Sequence, residues 1–202
     1  IIFVGIINGE SFRLHLLFTN NIHGAIHEVP ARFINPEFSP ILSGGAGAYS
    51  YVNKLRGDAK AGGDAVFLTD AGNLFQGTQL GTQDGGSKMI QWMNWMNYDA
   101  FVPGVRDFDK GVLNLSRLVE EAKFPFLAAN LRGVNGIKDH KIIDINGIKI
   151  GVIGLITPFI HEGLLPQNYE GVIVEDLLNT LNEQVAMVRK DVDMIFVLSH
   201  LG

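Results

Sequence analysis

The chain has 202 residues, 47% hydrophobic and 18% charged, a globular balance with length for one domain and a sizeable core. A net charge of −5 without any long basic run argues against a nucleic-acid polymer as the partner. The absence of Cys rules out disulfides and thiolate metal ligands, and 24 glycines predict many tight turns.

The uncharged apolar run Ile1 to Ile7 reads, with the rest of residues 1–11, as the remnant of a secretory signal peptide that lacks its basic start. The alternative is an edge strand. Phe12 to Thr19 is an apolar strand leading into the polar loop Asn20-Asn21-Ile22-His23-Gly24. Residues 26–43 form a polar, Pro-containing loop, and Gly44-Gly45 opens a helix that runs to about Arg56. Ala65 to Thr69 is a short buried strand ending in Asp70-Ala71-Gly72-Asn73. Ser87 to Asn97 reads as a helix with Met89, Ile90, Met93 and Met96 on one side, a packing stripe rather than a cofactor box. Ala100 to Pro103 is a strand, followed by Gly104-Val105-Arg106-Asp107-Phe108-Asp109. An amphipathic helix follows over Val112 to Lys123, then a strand over Phe126 to Asn130. Ile142 to Ile145 and Ile148 to Ile156 flank Asn146-Gly147, a dipeptide suited to a two-residue hairpin turn. Glu175 to Lys190 is a helix, and Met194 to Ser199 is a strand that delivers His200. No stretch after the first residues is long enough to span a bilayer. The chain stops directly after a strand, which reads as a truncated domain over 12–202.

Strands alternating with helices, with one antiparallel hairpin inserted, define an α/β domain with mixed sheets. Four strands end in polar or Gly-rich loops, and sites in such sheets form beyond the carboxyl ends of strands. His23 and His200 are candidate imidazole ligands there.

These loops resemble, in order, the motifs of the 5′-nucleotidase family of calcineurin-like metallophosphoesterases. Thr19-Asn20-Asn21-Ile22-His23 is similar to that family's Thr-Asn-Asp-x-His. Gly44-Gly45 matches its helix start. Asp70-Ala71-Gly72-Asn73 with Gln76-Gly77-Thr78 matches Asp-Ala-Gly-Asp and Gln-Gly-Thr. Tyr98-Asp99-Ala100 and Gly104 to Asp109 match Tyr-Asp-Ala and Gly-Asn-His-Glu-Phe-Asp. Phe126 to Leu131, Lys149 to Thr157 and Ser199 to Gly202 match later pieces. The resemblance runs from about residue 12 onward. It implies a four-layer α/β/β/α sandwich, a divalent metal pair (Mn, Zn, Mg or Ca), a nucleotide or phosphate-ester substrate, and export to the periplasm, cell surface or exterior. It also implies further ligands beyond residue 202 and a C-terminal domain for nucleotide specificity, neither of which lies within residues 1–202.

The departures fall on the chemistry. The resemblance implies a metal-binding Asp where Asn21 stands, a bridging Asp at Asn73, a metal-binding Asn at Val105 and a catalytic His at Arg106. Only His23 and His200 persist. Two divalent ions about 4 Å apart repel by roughly 17 kcal/mol at an effective dielectric of about 20, four times the unit-charge figure. Carboxylates offset that repulsion; neutral amides do not. Val105 offers no donor, and Arg106 puts a fixed cation where a metal sits. Asp70 and Asp107 are the candidates for substitute ligands. Three functions compete. The leading one is a degenerate domain kept for scaffold, binding or assembly, with its metals weak or absent. The alternatives are an active phosphohydrolase with a rearranged site and a metal-free phosphate binder using Arg106. A protein partner is not legible.

Overall fold

The computed structural model describes residues 2–7, 10–145 and 147–202. In chain order the elements are β1 (Ile2–Ile7), β2 (Glu10–Thr19), the short strands β3 (Val29–Pro30) and β4 (Ile41–Leu42), α1 (Gly44–Ala61), β5 (Ala65–Asp70), the single turn α2 (Gln79–Thr82), α3 (Ser87–Met96), β6 (Ala100–Phe101) and α4 (Val112–Glu121). There follow β7 (Leu131–Arg132), β8 (His140–Ile145), β9 (Ile148–Ile156), β10 (Ile173–Val174), α5 (Leu177–Val188) and β11 (Met194–His200).

Two mixed sheets make the centre. The first has the order β1-β2-β5-β6, with β1 antiparallel and the other three parallel. The second has the order β11-β9-β8, with β11 parallel to β9 and β8 antiparallel to it. Leu14, Phe67, Val102, Leu127, Ile150 and Val152 fill the space between the sheets. The outer face of the first sheet carries α1, α3 and α4 through a larger cluster that includes Val52, Leu68, Ile90, Met93 and Leu118. The outer face of the second sheet carries α5, whose Leu177, Leu181 and Val185 meet Ile153 and Leu155. This is the expected four-layer sandwich. Because β2, β5 and β6 are parallel, their trailing loops share one edge.

Ile2–Ile7, for which an edge strand was the alternative to a signal remnant, pairs antiparallel with β2 at the margin of the first sheet. The turn at Asn146 lies outside the described residues, but β8 and β9 do form the expected hairpin. α1 runs past its expected end near Arg56. Gly57 meets nothing in space, and the helix stops at Gly62.

One element differs in kind. Phe126 to Asn130 is not a strand. Its amides change partner at each step: Leu127 N–H donates to Phe101 O in the first sheet, Ala128 N–H to Lys138 O, and Ala129 N–H to Gly154 O in the second sheet. Only isolated bridges result, at Phe101 with Phe126 and Leu127 with Lys138. The segment is apolar because it is buried while crossing between sheets, and apolarity alone reads as a strand.

Candidate functional site

The loops after β2 and β5 are laced together by their backbones. Asn21 N–H donates to Gly72 O at 2.8 Å, His23 N–H to Asn73 O at 3.0 Å and Gly24 N–H to Leu74 O at 2.8 Å. The three acceptors are consecutive while the donors skip Ile22, so the chain must turn sharply to line them up. Asn21, His23 and Asn73 accordingly take positive φ values of 51°, 49° and 57°. Asn is the residue that tolerates this region best after Gly, which gives both asparagines a local structural fit.

The side chains of that pair also meet. Asn73 Oδ1 accepts from the backbone N–H of Arg106 at 2.9 Å, which fixes the orientation of the amide. Its Nδ2 then faces Asn21 Oδ1 and donates to it at 2.9 Å. The two positions where carboxylates were expected thus form an amide–amide bond. Gly104 lies against the same point. A Cβ there would run into Asn73 Oδ1 and the Cε1 of His200, so only Gly allows the loops after β5, β6 and β11 to close on one another. His200 Nδ1 lies 2.6 Å from Ala71 O. A carbonyl only accepts, so Nδ1 is the donor in this contact.

Below this cleft two buried carboxylates hold the loops. Asp107 accepts four backbone N–H bonds, from Gly104 (2.7 Å), Asn73 (2.8 Å), Leu74 (2.9 Å) and Phe75 (3.1 Å). Burial pushes its pKa up to about 6, and the four donors pull the other way. Asp70 accepts from Thr19 Oγ1 at 2.6 Å and Gly72 N–H at 2.8 Å. Thr19 spends its one hydrogen on Asp70, so the contact of 2.8 Å with Tyr98 is donated by the phenol. Burial, with the Asp107 charge adding to it and the two hydrogen bonds opposing, raises Asp70 to about 7. Both candidates for substitute ligands are therefore engaged within the framework rather than presented to the cleft.

The Arg106 guanidinium leans outward. Its Nη1 donates to Gly163 O at 3.4 Å and lies 3.8 Å from Asp109 Oδ1. Val105 packs beside Gly163. Among the described residues, no group of three or more His, Asp or Glu side chains is placed to hold a metal ion.

The structure thus brings together Asn21, Asn73, Arg106 and His200, with His23 on the shared loop. The sequence reading missed the latch role of Asp107 and the Thr19–Asp70–Tyr98 chain. A weak signal existed for the first, since Gly104 and Asp107 have the spacing of a local turn closure. Its bonds to residues 73–75 have no signature in the linear sequence.

No family model matches the chain. Among curated proteins, the 5′-nucleotidase of Homo sapiens is 28% identical over 208 residues, covering 95% of this chain and 34% of its own length. The snake venom 5′-nucleotidase of Crotalus adamanteus is 30% identical over 203 residues, 95% of this chain and 33% of its own. The chain therefore spans about a third of the length of these relatives. Among solved structures, a 5′-nucleotidase precursor from Thermus thermophilus superposes with a TM-score of 0.81 at 26% identity, over 94% of this chain and 37% of that one. A calcineurin-like phosphoesterase from Bacillus subtilis does so with a TM-score of 0.72 at 28% identity, over 94% and 62%.

Proposed function

The chain is a metallophosphoesterase domain of the 5′-nucleotidase family, and we propose that its hydrolytic site is degenerate, leaving a domain that serves binding or assembly. One observation carries the reading: the hydrogen bond between Asn73 Nδ2 and Asn21 Oδ1. In a two-metal site the residues at these positions turn oxygen lone pairs toward cations. Here one turns an N–H toward the other, and the oxygen left on Asn73 is taken by Arg106 N–H.

In this reading the residues present do not fit the metal pair that the family uses. His23 and His200 supply two neutral donors. Asn21 and Asn73 supply no charge, Val105 supplies no donor, and the Arg106 cation stands at the rim. None of these side chains offsets the mutual repulsion of two divalent ions. Asp70 and Asp107 cannot move in without stripping buried N–H and O–H groups of their acceptor.

A rearranged, active site is the second reading, favoured by the bond of His200 Nδ1 to a backbone carbonyl, which is the contact that orients an imidazole ligand. Its substrate would be a nucleotide or another phosphate monoester. Phosphate binding by Arg106 is the third, and it must displace the Asp109 contact. The export of the venom relatives supports an exported protein, and among the described residues no helix is long and apolar enough to cross a membrane.

Elemental analysis of the full-length protein, purified with excess manganese or zinc, tests the main reading. The expected result is fewer than two tightly held ions per chain and no chelator-sensitive hydrolysis of an aryl phosphate. Two stoichiometric ions, or turnover that a chelator abolishes, would transfer the case to the rearranged site.

A further inference from the structure

Beyond β6, at the margin of the first sheet, lies a pocket that shares no lining residue with the cleft. About 380 Å³ of space opens between the end of α4, the chain entering the crossing segment, the loop over residues 133–138 and the start of β8. Val119, Ala122, Phe124 and Pro125 make its apolar wall, and Lys123, Lys138 and Lys141 stand around it. No carboxylate of the described residues lines it. The acids beside these lysines in sequence are engaged elsewhere, Glu121 with Arg117 and Asp139 with Arg132 at 3.0 Å. Among the described residues none of the three lysines makes an ion pair. The walls are tied to the core. Lys123 N–H donates to Asn94 Oδ1 at 2.8 Å, Asn135 N–H to Ser116 Oγ at 3.2 Å and Lys138 N–H to Phe126 O at 2.9 Å, while Lys141 pairs with Val152 in the second sheet.

The backbone adds a second observation. In extended chain the N–H and C=O of one residue face one side, and those of the next face the other. Leu127 N–H reaches Phe101 O in the first sheet, so Phe126 N–H faces away from β6, and Phe126 O accordingly accepts from Lys138 N–H. Phe126 is buried, and its N–H finds no acceptor among the described residues. It is turned toward the segment that supplies Gly136 and Lys138 to the pocket. Buried N–H groups rarely stay unpaired. A water would cap this one, but water brings no charge to relieve three lysines that repel one another.

We propose that this pocket binds a small organic phosphate. Lys123, Lys138 and Lys141 surround the phosphoryl group, Phe126 N–H donates to one of its oxygens, and the apolar wall takes the organic body. A phosphate monoester suits three cations because it brings about −1.5 to −2 charges and three acceptor oxygens, where a carboxylate brings a single charge. α4 turns its carbonyl end toward this region, which opposes an anion with about half a unit of charge, and three ammonium groups outweigh that. Contact with Val119, Ala122, Phe124 and Pro125 sets an organic phosphate apart from the bare ion, since it removes apolar surface from water. A nucleic-acid strand fits less well. It needs an extended basic track, and three lysines around one pocket in a chain of net charge −5 do not form one.

Calorimetric titration of the full-length protein with phenylphosphonate, whose C–P bond a phosphatase does not cleave, tests the proposal in metal-depleted buffer at low salt. The expected result is a dissociation constant below about 1 mM that rises with salt, with inorganic phosphate at least about tenfold weaker. Lys138→Gln and Lys141→Gln should each raise the constant about fivefold, and the Lys123→Gln/Lys138→Gln/Lys141→Gln triple variant should abolish the binding heat. Arg106→Gln should leave the titration unchanged, which separates this pocket from the cleft. In amide NMR spectra the Phe126 signal should move as ligand is added. Thermal melts of the ligand-free variants should match the parent, because all three lysines are exposed. No binding up to about 10 mM, binding that survives the triple variant, or binding lost in Arg106→Gln would overturn the proposal. So would a Phe126 amide that does not move, inorganic phosphate binding as tightly as the phosphonate, or lysine-dependent binding of phosphatidylserine vesicles without any binding of phenylphosphonate.

Discussion

The bond between Asn21 and Asn73 depends on an N–H that aspartate lacks. Replacing Asn73 by Asp alone would set a carboxylate against the Asn21 oxygen, and in metal-free buffer that should cost about 1–2 kcal/mol in urea unfolding. Added manganese should not recover the loss, because Asn21 still carries no charge and Val105 no donor side chain. Reverting Asn21→Asp, Asn73→Asp, Val105→Asn and Arg106→His together should behave differently, giving the full-length protein measurable metal binding by calorimetry. Members of one ligand cluster act as a unit, so the single reversions should do little. Asp107→Ala has a separate consequence. It strands four N–H donors at the floor of the cleft, and it should destabilise by on the order of 3–5 kcal/mol in denaturant titration. The cluster of Asn21, Asn73, Arg106 and His200 was legible because each residue sits in a short motif at the end of a strand. The latch was not, because Asp107 reads as one acidic residue in a polar loop, and three of its four partners are more than thirty positions away.

Elements with a clean hydrophobic period were legible, and their ends less so. α3 and α4 begin where the sequence places them, at Ser87 and Val112. α5 starts at Leu177 rather than Glu175 because Asp176 caps it, its side chain accepting from Asn179 N–H at 2.8 Å. Asp176→Ala should therefore lower stability by about 1 kcal/mol, read as a shift in melting temperature. The misread element, residues 126–130, shows the limit of periodicity: a run buried on all sides looks the same whether it belongs to a ladder or threads between two. Gly154 on β9 lets that thread pass. A Cβ there would strike the backbone of Leu127. Gly154→Ala should cost about 2–3 kcal/mol, at the upper end for overpacking, because backbone rather than a side-chain tip must move.

For the molecule as a whole, buried carboxyls set the response to pH. Burial raises Asp70 to about 7 and Asp99 to about 6, against 3.8 for the unperturbed group. Between about pH 4 and pH 7 the native state thus binds more protons than the unfolded chain, so these groups make stability fall as pH rises through that window. Urea unfolding should give a larger free energy near the acid end of the window than near neutrality. The Asp70→Asn/Asp99→Asn pair should flatten the slope. The crossing segment bears on a different property. Leu127 is bonded to the first sheet and Ala129 to the second, and the Asn130 amide accepts from Ile156 N–H at 2.9 Å and donates to Ile156 O at 2.8 Å. Those few residues work as a tie-bar between two halves that otherwise meet mainly through apolar faces, with the contact of His200 and Ala71 at the cleft as a second polar link. Neither half can open while the bar holds, so amide protons of β5 and β9 should exchange together in one cooperative event, and a Leu127→Pro break in the bar should let the two sheets exchange at separate rates.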